Sequence, residues 1–133
     1  MSQENVELVR GFYAAVLSGD RERSLRFLDT DVVVDTTRMV FNPSTYRGIE
    51  ALRGWLADVS QTWEEIHTEP HELIDAGDQV VVVGKLVGTG KGSGVEVRRP
   101  TAQVFDVRNG HIVRWQLGFI ERREALEAVG LRE

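Results

Sequence analysis

The spacing of apolar residues changes character part-way along the chain, and that change limits the fold more than any single motif. In the first half, Val6, Val9, Phe12 or Tyr13, and Val16 recur at intervals of three and four, as do Ile49, Leu52, Trp55, Leu56, Val59 and Trp63. This is the period of a helix with one buried face. Gly19 stops the first helix, and Asp20 caps a short second one carrying Leu25 and Leu28. The second half alternates instead. Segments 66–74, 79–88, 95–107 and 112–120 read as strands, with Asp75-Ala76-Gly77-Asp78 and Asn109-Gly110 as turns. A further strand is expected over 31–37, where Val32, Val33 and Val34 stand in a row. Residues 38–46 read as irregular, and 121–129 as a short helical tail. Helices first and hairpin-joined strands after predict an α+β fold with a mainly antiparallel sheet.

Length places the whole pattern in one domain over residues 1–133. The chain has no cysteine, which excludes disulfides, thiolate catalysis and cysteine-held zinc. His67 and His71 are four apart, but on a strand that spacing is roughly 13 Å, too far for one ion. No metal is expected. The glycine-rich run 88–94 matches neither GxxxxGK[ST] nor GxGxxG before a helix, so no nucleotide or other cofactor is expected. A formal net charge of −5 disfavours nucleic acid and anionic membrane surfaces as partners. The N-terminus lacks the apolar core of a signal peptide, so the expected location is cytoplasmic.

The strand over 95–107 is the most informative about function. Its odd positions are Val95, Val97, Arg99, Thr101, Gln103, Phe105 and Val107, a face apolar at both ends and polar between. A sealed core disfavours unpaired polar groups, whereas a cavity wall accommodates Arg99 and Gln103. A slip at Pro100 is the alternative and would turn both outward. In the last strand Trp115, Leu117 and Phe119 share a face with Val113, as core or as a greasy pocket wall. Asp35 closes the valine run, either as a solvated strand end or as a buried base with a raised pKa.

The local motifs occur in a familiar order. They are Val9-Arg10-Gly11-Phe12-Tyr13-Ala14-Ala15 with Gly19-Asp20, Leu28-Asp29-Thr30-Asp31-Val32-Val33-Val34, Tyr46-Arg47-Gly48-Ile49-Glu50-Ala51-Leu52, Ala76-Gly77-Asp78-Gln79-Val80-Val81-Val82, and Arg108-Asn109-Gly110-His111-Ile112-Val113-Arg114-Trp115. Together they resemble the SnoaL-like branch of the nuclear transport factor 2-like superfamily, which includes ketosteroid isomerases and polyketide cyclases. The resemblance implies a conical barrel in which three N-terminal helices pack in a strongly curved sheet, with a pocket at the wide end, and a homodimer. Set against the isomerases, it places Asp35 near the strand base, Phe12 with its neighbour Tyr13 at the helix oxyanion donor, and Gln103 at the second donor. Set against limonene epoxide hydrolase-type members, Arg99 and Trp115 match pocket positions, while Thr101 and Leu117 stand where that chemistry needs carboxylates.

Three functions follow as expectations, the last a pure dimerisation scaffold in which Asp35 is solvated and side chains plug the cone. In the first, Asp35 removes a proton alpha to a carbonyl and Gln103, with Tyr46, hydrogen-bonds the enolate, making an acid–base isomerase or cyclase. Phe12, Trp55, Trp115 and Phe119 hold the apolar body of a hydrophobic small molecule. In the second, the same pocket binds such a ligand without catalysis.

Overall fold

The structure is a computed structural model that describes residues 2–39 and 43–132. Helix α1 (Ser2–Leu17) buries Val6, Val9, Phe12 and Tyr13 against the sheet, while Val16 at its end is exposed. The Asp20 side chain accepts a bond from Arg23 N at 3.0 Å and starts α2 (Arg21–Leu25). Strand β1 (Leu28–Asp35) follows. Residues inside the stretch read as irregular form a short strand β2 (Thr45–Arg47), paired antiparallel to β1 with Val34 opposite Tyr46. Asn42, within that stretch, lies outside the described residues. Helix α3 (Ile49–Thr62) then passes directly into β3 (Trp63–Ala76). Trp63 therefore does not extend the helical stripe, since its backbone is extended (φ −117°, ψ 132°).

Strands β4 (Gln79–Gly90), β5 (Glu96–Arg108) and β6 (His111–Phe119) complete a curved, unclosed six-stranded sheet in the order β2-β1-β6-β5-β4-β3. Among the described strands only β1 and β6 pair in parallel. Asn109 (φ 52°) and Gly110 (φ 76°) are both left-handed, as a two-residue hairpin with a matching twist requires. The glycine-rich connection closes the end of α3. Lys91 N donates to Thr62 O at 3.0 Å and Lys91 Nζ to Ser60 O at 3.4 Å, satisfying carbonyls of the last helical turn.

The two faces of the sheet bury separate clusters. The concave face packs Val80, Val82, Phe105, Val107, Ile112, Val32 and Val34 against α1 and α3. The convex face packs Val81, Ala102, Val104 and Phe119 under α4 (Arg122–Ala128), through Ala125 and Leu126. Pro100 introduces no slip, because β4 and β5 stay in register through Thr101, Pro100 and Arg99. It lies beyond the last β5–β6 pair, Ala102 with Phe119, where its missing N–H breaks no ladder on that side. Both irregularities of this pairing are in β6: one extra residue lies between the pairs Val107–Ile112 and Asp106–Arg114, and a second bulge lies between Val104–Gln116 and Ala102–Phe119. Gly118 absorbs the second bulge with φ 99°.

Candidate functional site

Strand parity brings Gln103 to the concave face, where one amide meets three partners. The Tyr13 hydroxyl and Trp115 Nε1–H (2.9 Å) both donate to Gln103 Oε1, and Gln103 Nε2 donates to Thr68 Oγ1 at 3.0 Å. Two donors on one oxygen fix which end of the amide is which. Burial pushes the Tyr13 phenol well above its ordinary pKa of 10.0, so it remains a protonated donor. Gln103 is 3 % exposed, and no buried side-chain polar atom lacks a partner among the described residues.

Aromatic rings continue outward from this network. Trp115 stacks on Phe105 (5.7 Å between centroids, 15° between planes) and meets the edges of Phe12 at 5.4 Å and Trp55 at 6.0 Å. Trp55 lies 5.9 Å from Tyr46. There the chain of rings reaches a cleft of about 880 Å³, lined by α3 residues Trp55, Asp58, Val59 and Thr62 and by Tyr46, Trp63, Met39 and Val95 among others. A second cavity of about 340 Å³ lies between α1, α2, α3 and β3, with Phe12, Leu52, Leu56 and Trp115 in its wall. Val59 and Trp63 line both.

The structure thus gathers Phe12, Tyr13, Tyr46, Trp55, Gln103 and Trp115 into one continuous set. It takes Asp35 away from this set, while Arg99 and Phe119 meet Gln103 only at a separate, small crevice. Asp35 does not face the cone. It follows the buried Val34 and pairs with Gln116, next to Arg114, on the opposite side of the sheet from Trp115. Its carboxylate accepts from Thr37 N (2.9 Å), Thr37 Oγ1 (2.5 Å) and Arg114 (3.0 Å). Burial alone would raise its pKa. The Thr37 hydrogen bonds and the Arg114 guanidinium outweigh that and hold it below the ordinary value, which corrects the expectation of a raised, desolvated base.

Phe119 is likewise displaced. The bulge at Gly118 reverses its parity, so it packs under α4, with the Arg38 guanidinium 4.2 Å from its ring centre. Arg99 shares the face of Gln103, projects past the end of β6 and is exposed, and it lines a crevice of about 40 Å³ together with Gln103, Phe119, Leu86, Thr101 and Leu117, among others. Val104, on the face opposite Gln103, is fully buried beneath α4.

Two cleft residues escape a sequence reading. Trp63 was legible as an apolar position but in the wrong element. Asp58 falls on the cleft face of α3, three residues after Trp55, a spacing visible in the sequence only once that face is known to meet a cavity. No group of His, Asp and Glu side chains with metal-site geometry occurs among the described residues, and no described helix is long and apolar enough to cross a membrane.

An NTF2-like protein of unknown function from Burkholderia pseudomallei K96243 superposes with a TM-score of 0.79 at 22% identity, covering 96% of this chain and 98% of its own. TerC, crystallised with polyporic acid, gives 0.78 at 22% identity, with 95% and 98% covered. A protein of ketosteroid isomerase-like fold from Catenulispora acidiphila DSM 44928, in complex with trimethylamine, gives 0.73 at 22% identity, with 94% and 93% covered. At these identities the likeness is one of fold. Among curated proteins none matches the chain. The SnoaL-like domain profile matches residues 9–115, most of α1 through the middle of β6, and the chain belongs to the SnoaL-like domain family.

Proposed function

We propose that the protein is a non-catalytic binding module for a hydrophobic small molecule, held in the cleft between α3, β2 and the ends of β4 and β5. The observation that carries this is the state of the polar groups. Gln103 has its amide oxygen occupied by Tyr13 and Trp115 and donates to Thr68, so it offers a substrate enolate a diminished partner. The strand carboxylate Asp35 lies on the other face, ionised and tied to Arg114. General-base chemistry needs a proton acceptor within hydrogen-bond reach of the substrate, and Asp35 lacks that reach. What remains suits binding: aromatic walls and a few neutral polar groups, in a volume of the size that small-molecule sites use. The complexes of two fold relatives with polyporic acid and trimethylamine accord with it.

The test is a comparison of variants by NMR titration with a set of small aromatic fragments. Trp55→Ala should weaken binding of any fragment that binds by about tenfold, the scale of losing one aromatic contact. Asp35→Asn should leave affinity unchanged. Loss of binding in Asp35→Asn with the fold intact would restore the carboxylate to the site and overturn this reading.

A homodimer is proposed alongside it. Ile120, just past the end of β6, is 55 % exposed, an apolar group that a second copy would cover.

A further inference from the structure

We propose that the ligand of this cleft is an organic cation, an alkyl- or quaternary ammonium compound whose charge lies against Asp58 and whose body lies among Tyr46, Trp55 and Trp63. This rests on the cleft being the binding site and adds the charge of what it takes.

Among the described residues the lining carries one carboxylate, Asp58, and no lysine or arginine. Among the described residues Asp58 has no ion-pair partner. Lys91, the cation on the adjoining loop, is instead directed to Ser60 O at 3.4 Å. No basic side chain of the helix end offsets it either. Asp58 stands just before the last turn of α3, the negative end of the helix, and that turn holds no basic residue. Asp58 is exposed at the rim of the cleft, so a ligand cation can reach it from solvent.

The aromatic lining points the same way. Trp55, Asp58, Val59 and Thr62 share one face of α3, so an indole and a carboxylate border the same space, with Tyr46 and Trp63 across and beside them. Aromatic faces attract a cation within about 6 Å of the ring centre, and they favour weakly hydrated alkylammonium groups, whose methyl groups also gain from apolar contact. The other polar side chains of the described lining, Ser44, Thr62 and Ser93, are neutral hydroxyls and repel neither partner. A net charge of −5 adds a field of the same sign.

The experiment compares choline with 3,3-dimethylbutan-1-ol, which has the same shape with carbon in place of the charged nitrogen. Binding to the full chain is followed by the indole N–H signals of the three tryptophans. Choline should bind roughly tenfold more tightly than the alcohol, with shifts at Trp55 and Trp63. Asp58→Asn should lower choline affinity by about five- to tenfold and leave the alcohol unchanged, with the folded spectrum otherwise preserved. Raising the salt concentration should weaken choline alone. Equal binding of the two probes, or choline binding indifferent to Asp58→Asn, overturns the cation proposal and leaves the cleft reading standing. Binding of the alcohol but not of choline also overturns it. Absence of any shift at Trp55 and Trp63, with either probe or with the aromatic fragments, overturns both.

Discussion

Gln103 joins α1, β3, β5 and β6 through a single amide, because Tyr13, Thr68 and Trp115 come from the other three elements. Removing different members should therefore have unequal costs. Tyr13→Phe deletes one donor and leaves Gln103 Oε1 bonded to Trp115, at a cost of about 1 kcal/mol. Gln103→Leu strands the Tyr13 hydroxyl and the Trp115 indole N–H together, at a cost of about 3 kcal/mol. Urea denaturation of the two variants checks the order. Asp35 behaves differently because its pKa is lowered on folding. A carboxyl so shifted stabilises the fold above its unfolded pKa of about 3.9, and that contribution is lost as the pH falls through the lower folded value. The Arg114 side chain is 43 % exposed, so solvent screens the pair. Asp35→Asn should cost less than about 1 kcal/mol at pH 7, and the difference from wild type should shrink as the pH drops below about 4, measured by urea midpoints across that range. The inward direction of Gln103 was legible from alternation along one strand. The partner of Asp35 was not, since Arg114 stands 79 residues away on a strand that lies beside β1 only in the folded sheet.

At the level of elements, periodicity located the two long helices and the four long strands; it failed at Leu28, read with the second helix but opening β1, and where a single residue changes phase. Alternation from Trp115 put Phe119 in the cone, but one extra residue in β6 turns it to the convex face. The signal was Gly118. A Cβ there would lie 2.9 Å from Arg38 atoms on a backbone with φ 99°, so only glycine fits without strain. Gly118→Ala should cost about 1–3 kcal/mol, seen as a lower thermal midpoint, and should disturb Phe119 more than Trp115 in aromatic NMR signals. The same bulge delivers Phe119 to α4, which makes that helix structural. Leu126 is 2 % exposed in that cluster, and Leu126→Ala should cost about 2–5 kcal/mol. Strand β2 is only three residues long, too short for alternation to reveal, and its pairing with β1 is what sets Tyr46 beside the cleft.

On the scale of the whole molecule, the two faces of the curved sheet carry different loads. The concave face holds the helices, the Gln103 network and the aromatic path to the cleft, and the convex face holds α4 and the Asp35–Arg114 pair. The order of helices and hairpins made the cone legible in the sequence, whereas which polar residues face which side depended on bulges and on long-range pairs. If a second copy covers Ile120, light scattering at micromolar concentration should give a mass near twice 15.0 kDa, and Ile120→Glu should return it to the single-chain value. The central claim, that ligand enters at α3 while Gln103 stays committed to its protein partners, is tested most directly by the indole N–H signals during titration with an aromatic fragment. Trp55 and Trp63 should shift with ligand and saturate together, while Trp115, hydrogen-bonded to Gln103, should move little. A large shift at Trp115 with Trp55 and Trp63 unmoved would contradict the account, because the ligand would then be displacing the network that the protein keeps for itself.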